Sequence, residues 1–232
     1  MTDFVFEPPA AVAISVAGTG QHFPVRRIYC VGRNYVEHAQ EMGFTGREPP
    51  FFFCKPTDAI VFVPEGGTGE IPYPPMTKNF HFEAELVVAI GKAGTNIRKE
   101  DAQQHVFGYA VGLDMTRRDL QGEMKKQGRP WEIGKAFDHS APIGPLHPAA
   151  RTGEISRAAI TLDVNGQRKQ SSDISKLIWN VAETIEHLSS YYALQPGDLI
   201  YTGTPEGVGA VVSGDLMVVA IEGLGELRVR VV

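Results

Sequence analysis

The stretch His81-Phe82-Glu83-Ala84-Glu85-Leu86-Val87-Val88-Ala89-Ile90-Gly91 decides the fold class of this chain. From Leu86 to Ile90 it is apolar and carries no charge, the pattern of a strand that enters a core instead of forming an exposed edge. Side chains two apart on a strand point to one face, so Glu83 and Glu85 share a face. Two adjacent carboxylates repel unless one is protonated or a cation lies between them. A second apolar run, Val106-Phe107-Gly108-Tyr109-Ala110-Val111-Gly112-Leu113, ends in Asp114, which a strand would deliver to the same rim. No pair of arginines stands near the two glutamates in sequence. Oxygen-only ligation suits hard divalent ions, so Mg²⁺ or Mn²⁺ is the expected occupant, with Ca²⁺ also compatible. By spacing alone, Glu-x-Glu is equally the pattern of a solvated strand face.

Working outward, strand signals recur at Arg27–Gly32, Phe51–Cys54, Ala59–Val63, Ala84–Ile90, Phe107–Leu113, Ala159–Val164, Asp198–Thr202 and Leu216–Val232. They do not alternate regularly with helices, which predicts a β-rich α+β fold and not a Rossmann fold or a barrel. The clearest helix is expected to start at Ser172 or Asp173, with Ile174, Leu177, Ile178, Val181, Ile185 and Leu188 as its apolar stripe. Residues 1–27, rich in Pro, Ala and Gly, read as an N-terminal arm with short strands. Residues 28–232 read as one catalytic domain, because no linker divides them.

Composition excludes several classes. Of 232 residues, 43% are hydrophobic and 21% charged, which is ordinary for a globular protein. The net charge of −5, with Lys and Arg scattered, gives no footprint for nucleic acid or an anionic membrane surface. The N-terminus lacks the basic start and apolar run of a signal peptide or span, so a cytoplasmic location is expected. Cys30 and Cys54 lie in apolar, strand-like surroundings without CxxC spacing, and read as buried, reduced thiols.

Two short helices bear on chemistry. In Asn34 to Gly43, Asn34 is positioned to cap, Glu37 stands at the third position of a capping box, and Gly43 suits the stop. His38 and Glu41, three apart, are neighbours on its surface, where the carboxylate would orient the imidazole as a base or else form a routine exposed pair. From Thr116 to Gly128 a second helix is expected, capped by Thr116 with Asp119 at the third position. Arg118 and Gln121 would project from its first turn toward a bound anion. Gly203-Thr204-Pro205-Glu206-Gly207-Val208-Gly209 lacks the Gly-Lys-Ser/Thr ending of a phosphate loop and reads as a turn between strands. Neither a Gly-x-Ser-x-Gly elbow nor a His-Glu-x-x-His motif occurs.

The order of Tyr29-Cys30-Val31-Gly32-Arg33-Asn34-Tyr35, the His38/Glu41 pair, Lys55-Pro56, Glu83-x-Glu85, Gly112-Leu113-Asp114-Met115-Thr116, Gly134-Lys135, Pro196-Gly197-Asp198 and the glycine-rich loop after Gly203 resembles the fumarylacetoacetate hydrolase family from about residue 28 onward. The resemblance implies layered mixed β-sheets rolled around the site, a homodimer, and Mg²⁺ or Mn²⁺ bound by Glu83, Glu85 and Asp114. It implies a lid over Asn34 to about Gly46 that brings His38 and Glu41 to the metal, and a supporting place for His81 behind it. Lys135, Gln121, Arg118, Lys55 and Thr204 match pocket positions, with Lys135 and Gln121 stabilising an oxyanion. The implied activity is metal-dependent cleavage of a carbon–carbon bond in a small 2-oxo acid of the acylpyruvate type, with 3-fumarylpyruvate, giving fumarate and pyruvate, the expected substrate. A distal carboxylate would then call for Arg33, Arg118 or Lys55. Relatives in the family decarboxylate oxaloacetate, hydrolyse simpler acylpyruvates, or isomerise and decarboxylate homoprotocatechuate-pathway intermediates. A non-catalytic, metal-stabilised binding protein is the reading from another class.

Overall fold

Strands dominate the computed structural model, which describes residues 4–35 and 47–232. The first are β1 (Ala13–Ser15), β2 (His22–Pro24), β3 (Arg27–Gly32), β4 (Phe51–Lys55), β5 (Ile60–Phe62) and β6 (Gly69–Ile71). Next come β7 (Phe80–Phe82), β8 (Ala84–Ile90), β9 (Val106–Leu113) and β10 (Thr116–Arg117), then helices α1 (Arg118–Gln127) and α2 (Glu132–Lys135). β11 (Ala141–Ile143), β12 (His147–Pro148), α3 (Ala149–Thr152), β13 (Ala159–Val164), β14 (Gln167–Asp173) and α4 (Val181–Tyr191) follow. The chain closes with β15 (Asp198–Tyr201), β16 (Gly209–Val211), β17 (Leu216–Ile221) and β18 (Gly225–Val231).

These strands form a curled, mixed, layered arrangement, the β-rich α+β class expected. An eight-stranded sheet runs β4-β3-β15-β8-β9-β11-β5, with β12 also on β9. A five-stranded sheet runs β14-β13-β17-β18-β6, and a three-stranded one runs β10-β7-β16. Central β8 is buried along its whole length, which is why its sequence beyond Glu85 is a continuous apolar run and not an alternation. Its residues divide between two cores: Ala84, Leu86, Val88 and Ile90 join the larger, while Val87 and Ala89 join the smaller with Ile28, Cys30, Leu199 and Tyr201. Glu83 and Glu85 have the parity of Val87, so they crown the smaller core.

Three expectations are corrected. The helix placed from Ser172 or Asp173 begins at Val181. Residues 167–173 pair with β13, and Asp173 caps only a 3₁₀ turn over Ile174–Lys176. The α-helix takes its own capping box from Asn180 and Glu183. The expected strand Leu216–Val232 is a hairpin, β17 and β18, turning near Gly223. Cys54 is exposed, whereas Cys30 is buried as expected.

Asn34 does not spend its side chain as a helix cap. Its Nδ2 donates to the carbonyls of Trp179, at 2.9 Å, and Thr202, at 2.7 Å, while Oδ1 accepts from Trp179 N–H at 2.8 Å. The buried amide thereby fastens the end of β3 to the segments before α4 and after β15. The rest of the expected helix, with His38 and Glu41, lies outside the described residues. Asn34→Leu leaves these three backbone groups without partners in a dry place, each worth about 1–3 kcal/mol. Chemical unfolding should show a loss of about 3 kcal/mol or more. A loss below about 1 kcal/mol would mean that water replaces the amide.

Candidate metal centre

Each acidic side chain reaches the site by a separate local rule. β7 and β8 are one extended run interrupted at Glu83, so the chain passes from the three-stranded to the eight-stranded sheet there. β9 lies antiparallel beside β8, Glu85 facing Gly112, and Asp114 N–H donates to the Glu83 carbonyl at 2.9 Å. Carboxylate oxygens of Glu83, Glu85 and Asp114 consequently lie within 4.8 Å of one another, and all three residues are buried.

Three cations surround them. Lys135 Nζ donates to Glu83 Oε2, Asp114 Oδ2 and Thr116 Oγ1, each at 2.7 Å. Arg118 donates to Glu83 Oε1 through one amino group and to Gln121 Oε1 through the other, the latter at 2.6 Å. Lys55 Nζ lies 2.8 Å from Asp114 Oδ1. Its own protons, however, face the carbonyls of Lys135 and Met115 and the hydroxyl of Ser140. The Lys55 contact with Asp114 is therefore Coulombic, and Asp114 Oδ1 is left buried without a hydrogen-bond donor.

Electrostatics follows from this geometry. Burial alone would lower the Lys135 ammonium, but the charges of Asp114 and Glu83 overcome it and hold the pKa above its usual range. Glu85 is pushed well above the ordinary carboxylate range, by burial first and then by the charges of Asp114 and Glu83. One of its oxygens, Oε2, accepts from Gly203 N–H at 2.8 Å. His81 is lowered to about 4, by burial first and then by Arg118. Its Nδ1 accepts from Arg118 Nε and its Nε2 donates to Asn79 Oδ1 at 2.8 Å, so the neutral ring supports the arginine that holds Glu83.

An all-oxygen donor set with an orphaned buried Asp114 oxygen and a destabilised Glu85 carboxylate fits a hard divalent cation. One cavity is lined by Glu83, Glu85, Asp114, Arg118, Gln121, Lys135 and Thr204, and it continues past Arg33, Phe53 and Trp131. The expected site residues within the described chain thus converge, with one exception. Lys55 is buried behind Asp114 and does not line the cavity. Helix α1 starts one residue later than expected, with Arg117 and not Thr116 at the cap position, because Thr116 and Arg117 pair with His81 and Phe80. Thr116 serves Lys135, and Asp119 accepts from Thr77 Oγ1 and Lys78 N–H. Gly134 lets α2 touch α1: a Cβ there would lie 2.8 Å from Gln121 N.

The family model described as fumarylacetoacetate (FAA) hydrolase C-terminal matches residues 27–232. A fumarylpyruvate hydrolase from Ralstonia sp is 50% identical over 184 residues, 79% of this chain and 93% of its own. An oxaloacetate tautomerase of Escherichia coli (strain K12) is 38% identical over 202 residues, 87% of this chain and 90% of its own. Among solved structures, fumarylpyruvate hydrolase from Pseudomonas aeruginosa, in complex with Mn²⁺ and pyruvate, superposes with a TM-score of 0.98. The two are 62% identical, and the match covers 99% of each chain.

A carboxyl whose pKa is raised in the folded state makes the folded chain bind more protons than the unfolded one, so the metal-free protein loses stability as pH rises. A divalent ion on the same oxygens removes that penalty. The gain in Tm on adding excess Mn²⁺ should therefore grow from about pH 5 to about pH 8. An equal gain at both would show that the carboxylates are already ionised at the lower pH.

Proposed function

This chain belongs to the fumarylacetoacetate hydrolase family, and from that premise we propose that it hydrolyses 3-fumarylpyruvate to fumarate and pyruvate. The likeness to the Pseudomonas aeruginosa enzyme along the whole chain carries this reading. Glu83, Glu85 and Asp114 would hold Mg²⁺ or Mn²⁺, which supplies Lewis-acid stabilisation for the negative charge that develops on the pyruvate half.

The remaining roles fall to the chain's own groups. His38, oriented by Glu41, takes a proton from the water that attacks the fumaryl carbonyl carbon. The carbon–carbon bond then breaks, its electron pair leaves with the pyruvate portion as an enolate, and a proton returns to that carbon. Gln121 gives its oxygen to Arg118, so its amide N–H₂ is the end it offers to an oxyanion in the cavity. The raised pKa of Lys135 keeps it a protonated donor and unfits it as a base.

Substrate choice turns on the distal carboxylate. Arg118 holds Glu83 and Gln121 and Lys55 is buried behind Asp114, whereas Arg33 is the one of these three cations that borders the aromatic cavity beyond the metal site. Arg33 lines both the metal cavity and an adjoining one bounded by Phe51, Phe53, Arg129 and Trp131. Its guanidinium carbon stands 5.2 Å from the Phe51 ring centre and 5.8 Å from that of Trp131. A planar, unsaturated acid laid along this aromatic wall would bring its carboxylate toward the guanidinium.

The homodimer expected of the family belongs to the same proposal. Edge strand β4 supports it, with Phe51, Tyr191 and Tyr192 exposed and Tyr191 set against Phe52 of that strand. Among the described residues no helix is long and apolar enough to cross a membrane. A cytoplasmic location completes the proposal.

Pyruvate release should be followed in parallel from fumarylpyruvate, acetylpyruvate and oxaloacetate. Fumarylpyruvate should turn over fastest, EDTA should abolish release, and His38→Ala should lower kcat by about a hundredfold or more. No turnover of any of the three would sink the reading. Arg33→Met should raise KM for fumarylpyruvate about tenfold or more while sparing acetylpyruvate. Equal losses on both substrates would remove Arg33 from the distal site.

A further inference from the structure

Gln170 stands outside the cavity, on β14 of the five-stranded sheet, with 1% of its surface exposed. Its amide nevertheless touches two parts of the site. Oε1 accepts from Ala84 N–H, between the two glutamates, at 3.0 Å. Nε2 donates to the Pro205 carbonyl at 2.8 Å and to Thr204 Oγ1 at 2.9 Å. The loop after β15 lies directly on β14 here. A Cβ at Gly207, whose φ is +87°, would come within 2.2 Å of the Lys169 carbonyl oxygen.

The polarity of this cluster is determined. A backbone N–H can only donate and a backbone carbonyl can only accept, so Ala84 and Pro205 together fix which end of the Gln170 amide is oxygen and which is nitrogen. Thr204 Oγ1 faces the nitrogen end and must accept. A threonine hydroxyl carries one proton, and with the oxygen accepting from Gln170 that proton is directed elsewhere. Among the described residues Thr204 makes no second hydrogen bond through its hydroxyl, and it lines the cavity beside Glu83, Glu85 and Lys135.

We propose that Gln170 is a positioning residue that locks the Thr204 hydroxyl as a proton donor into the metal cavity, where it binds a carboxylate or 2-oxo oxygen of the ligand. The inference rests on the 2-oxo acid reading above and deepens it. Lys135 commits its three protons to Glu83, Asp114 and Thr116, and Arg118 is spread over Glu83, Gln121 and His81. Thr204 therefore contributes a donor that the metal-binding carboxylates do not consume. Because its direction is fixed before the ligand arrives, little rotamer freedom is lost on binding.

Calorimetric titration of pyruvate into the Mn²⁺-saturated protein tests this. The variants are Thr204→Val, Thr204→Ser, Gln170→Met and the double Gln170→Met/Thr204→Val. Thr204→Val should raise the pyruvate Kd about tenfold or more, the usual effect of losing a hydrogen bond to a charged group. Thr204→Ser, which keeps a hydroxyl, should lose less. Gln170→Met should weaken pyruvate by a factor comparable to Thr204→Val in the otherwise unchanged protein, and add little in the Thr204→Val background. Factors that simply multiply in the double variant would make Gln170 an ordinary structural residue and overturn the proposal. An unchanged Kd in Thr204→Val would overturn it too, without requiring any Gln170 variant to fold. Failure of the unsubstituted protein to bind pyruvate would bring down the 2-oxo acid reading itself, and this inference with it.

Discussion

Three carboxylates held out of water within a few ångströms of one another are the constraint on which the rest of this molecule depends. Removing a charge from water costs several kcal/mol, and like charges side by side add to that. The chain answers with Lys55, Lys135 and Arg118, so the formal charges of the cluster cancel. These cations come from β4, α2 and α1, which explains why an edge strand and two short helices must converge on the rim of a sheet. Truncating any one would leave a buried charge uncompensated.

The sheets make such a cluster affordable in structural terms. A strand buried on both faces leaves no room for charge along its middle, so acids stand at its rim: Glu85 is the second residue of β8. Glu83 lies at the crossing between β7 and β8, and Asp114 lies just past the end of β9. The smaller core beneath them, with Cys30 and Tyr201, is apolar and dry. That dryness raises Glu85 and also drives the Cys30 thiol and the Tyr201 hydroxyl well above their ordinary values. A base or nucleophile would be badly placed there, whereas a cation held by oxygens gains from every neighbour.

Much of this was legible in the sequence, and the failures share one cause. Period-two spacing and uncharged flanks placed Glu83 and Glu85 on one face, because strand geometry is local. The lysines beside them were legible only through the family resemblance, and their pairing with the acids not at all: Lys55 and Lys135 lie far from Glu83 along the chain and reach the site only through tertiary packing. The start of α4 was misplaced because Ile174, Leu177 and Ile178 satisfy helical periodicity. Yet β13 claims the residues before them, and the Asn34 carbonyl claims the Ile178 N–H. Thr116 has the chemistry of a cap but is drawn into a strand pair with His81. Gln170 gave no signal at all. Its contacts depend on a loop crossing β14, and a polar residue on a strand ordinarily faces solvent.

The charge balance also bears on what can enter the cavity. With three acids and three bases the cluster has no formal charge of its own, and the Lys135 ammonium occupies the space between Glu83 and Asp114. A divalent ion on those oxygens competes with the ammonium for the same lone pairs and adds two positive charges to a dry pocket. The assembly is then complementary to a doubly negative ligand, and Arg33 extends positive charge toward the aromatic cavity alongside. On the proposed reading, a 2-oxo acid with a second carboxylate matches that charge better than one with a neutral acyl tail. Under the proposed function, discrimination among acids of one chemical class would then rest first on the charge of these ionisable side chains, with the shape of the cavity refining it.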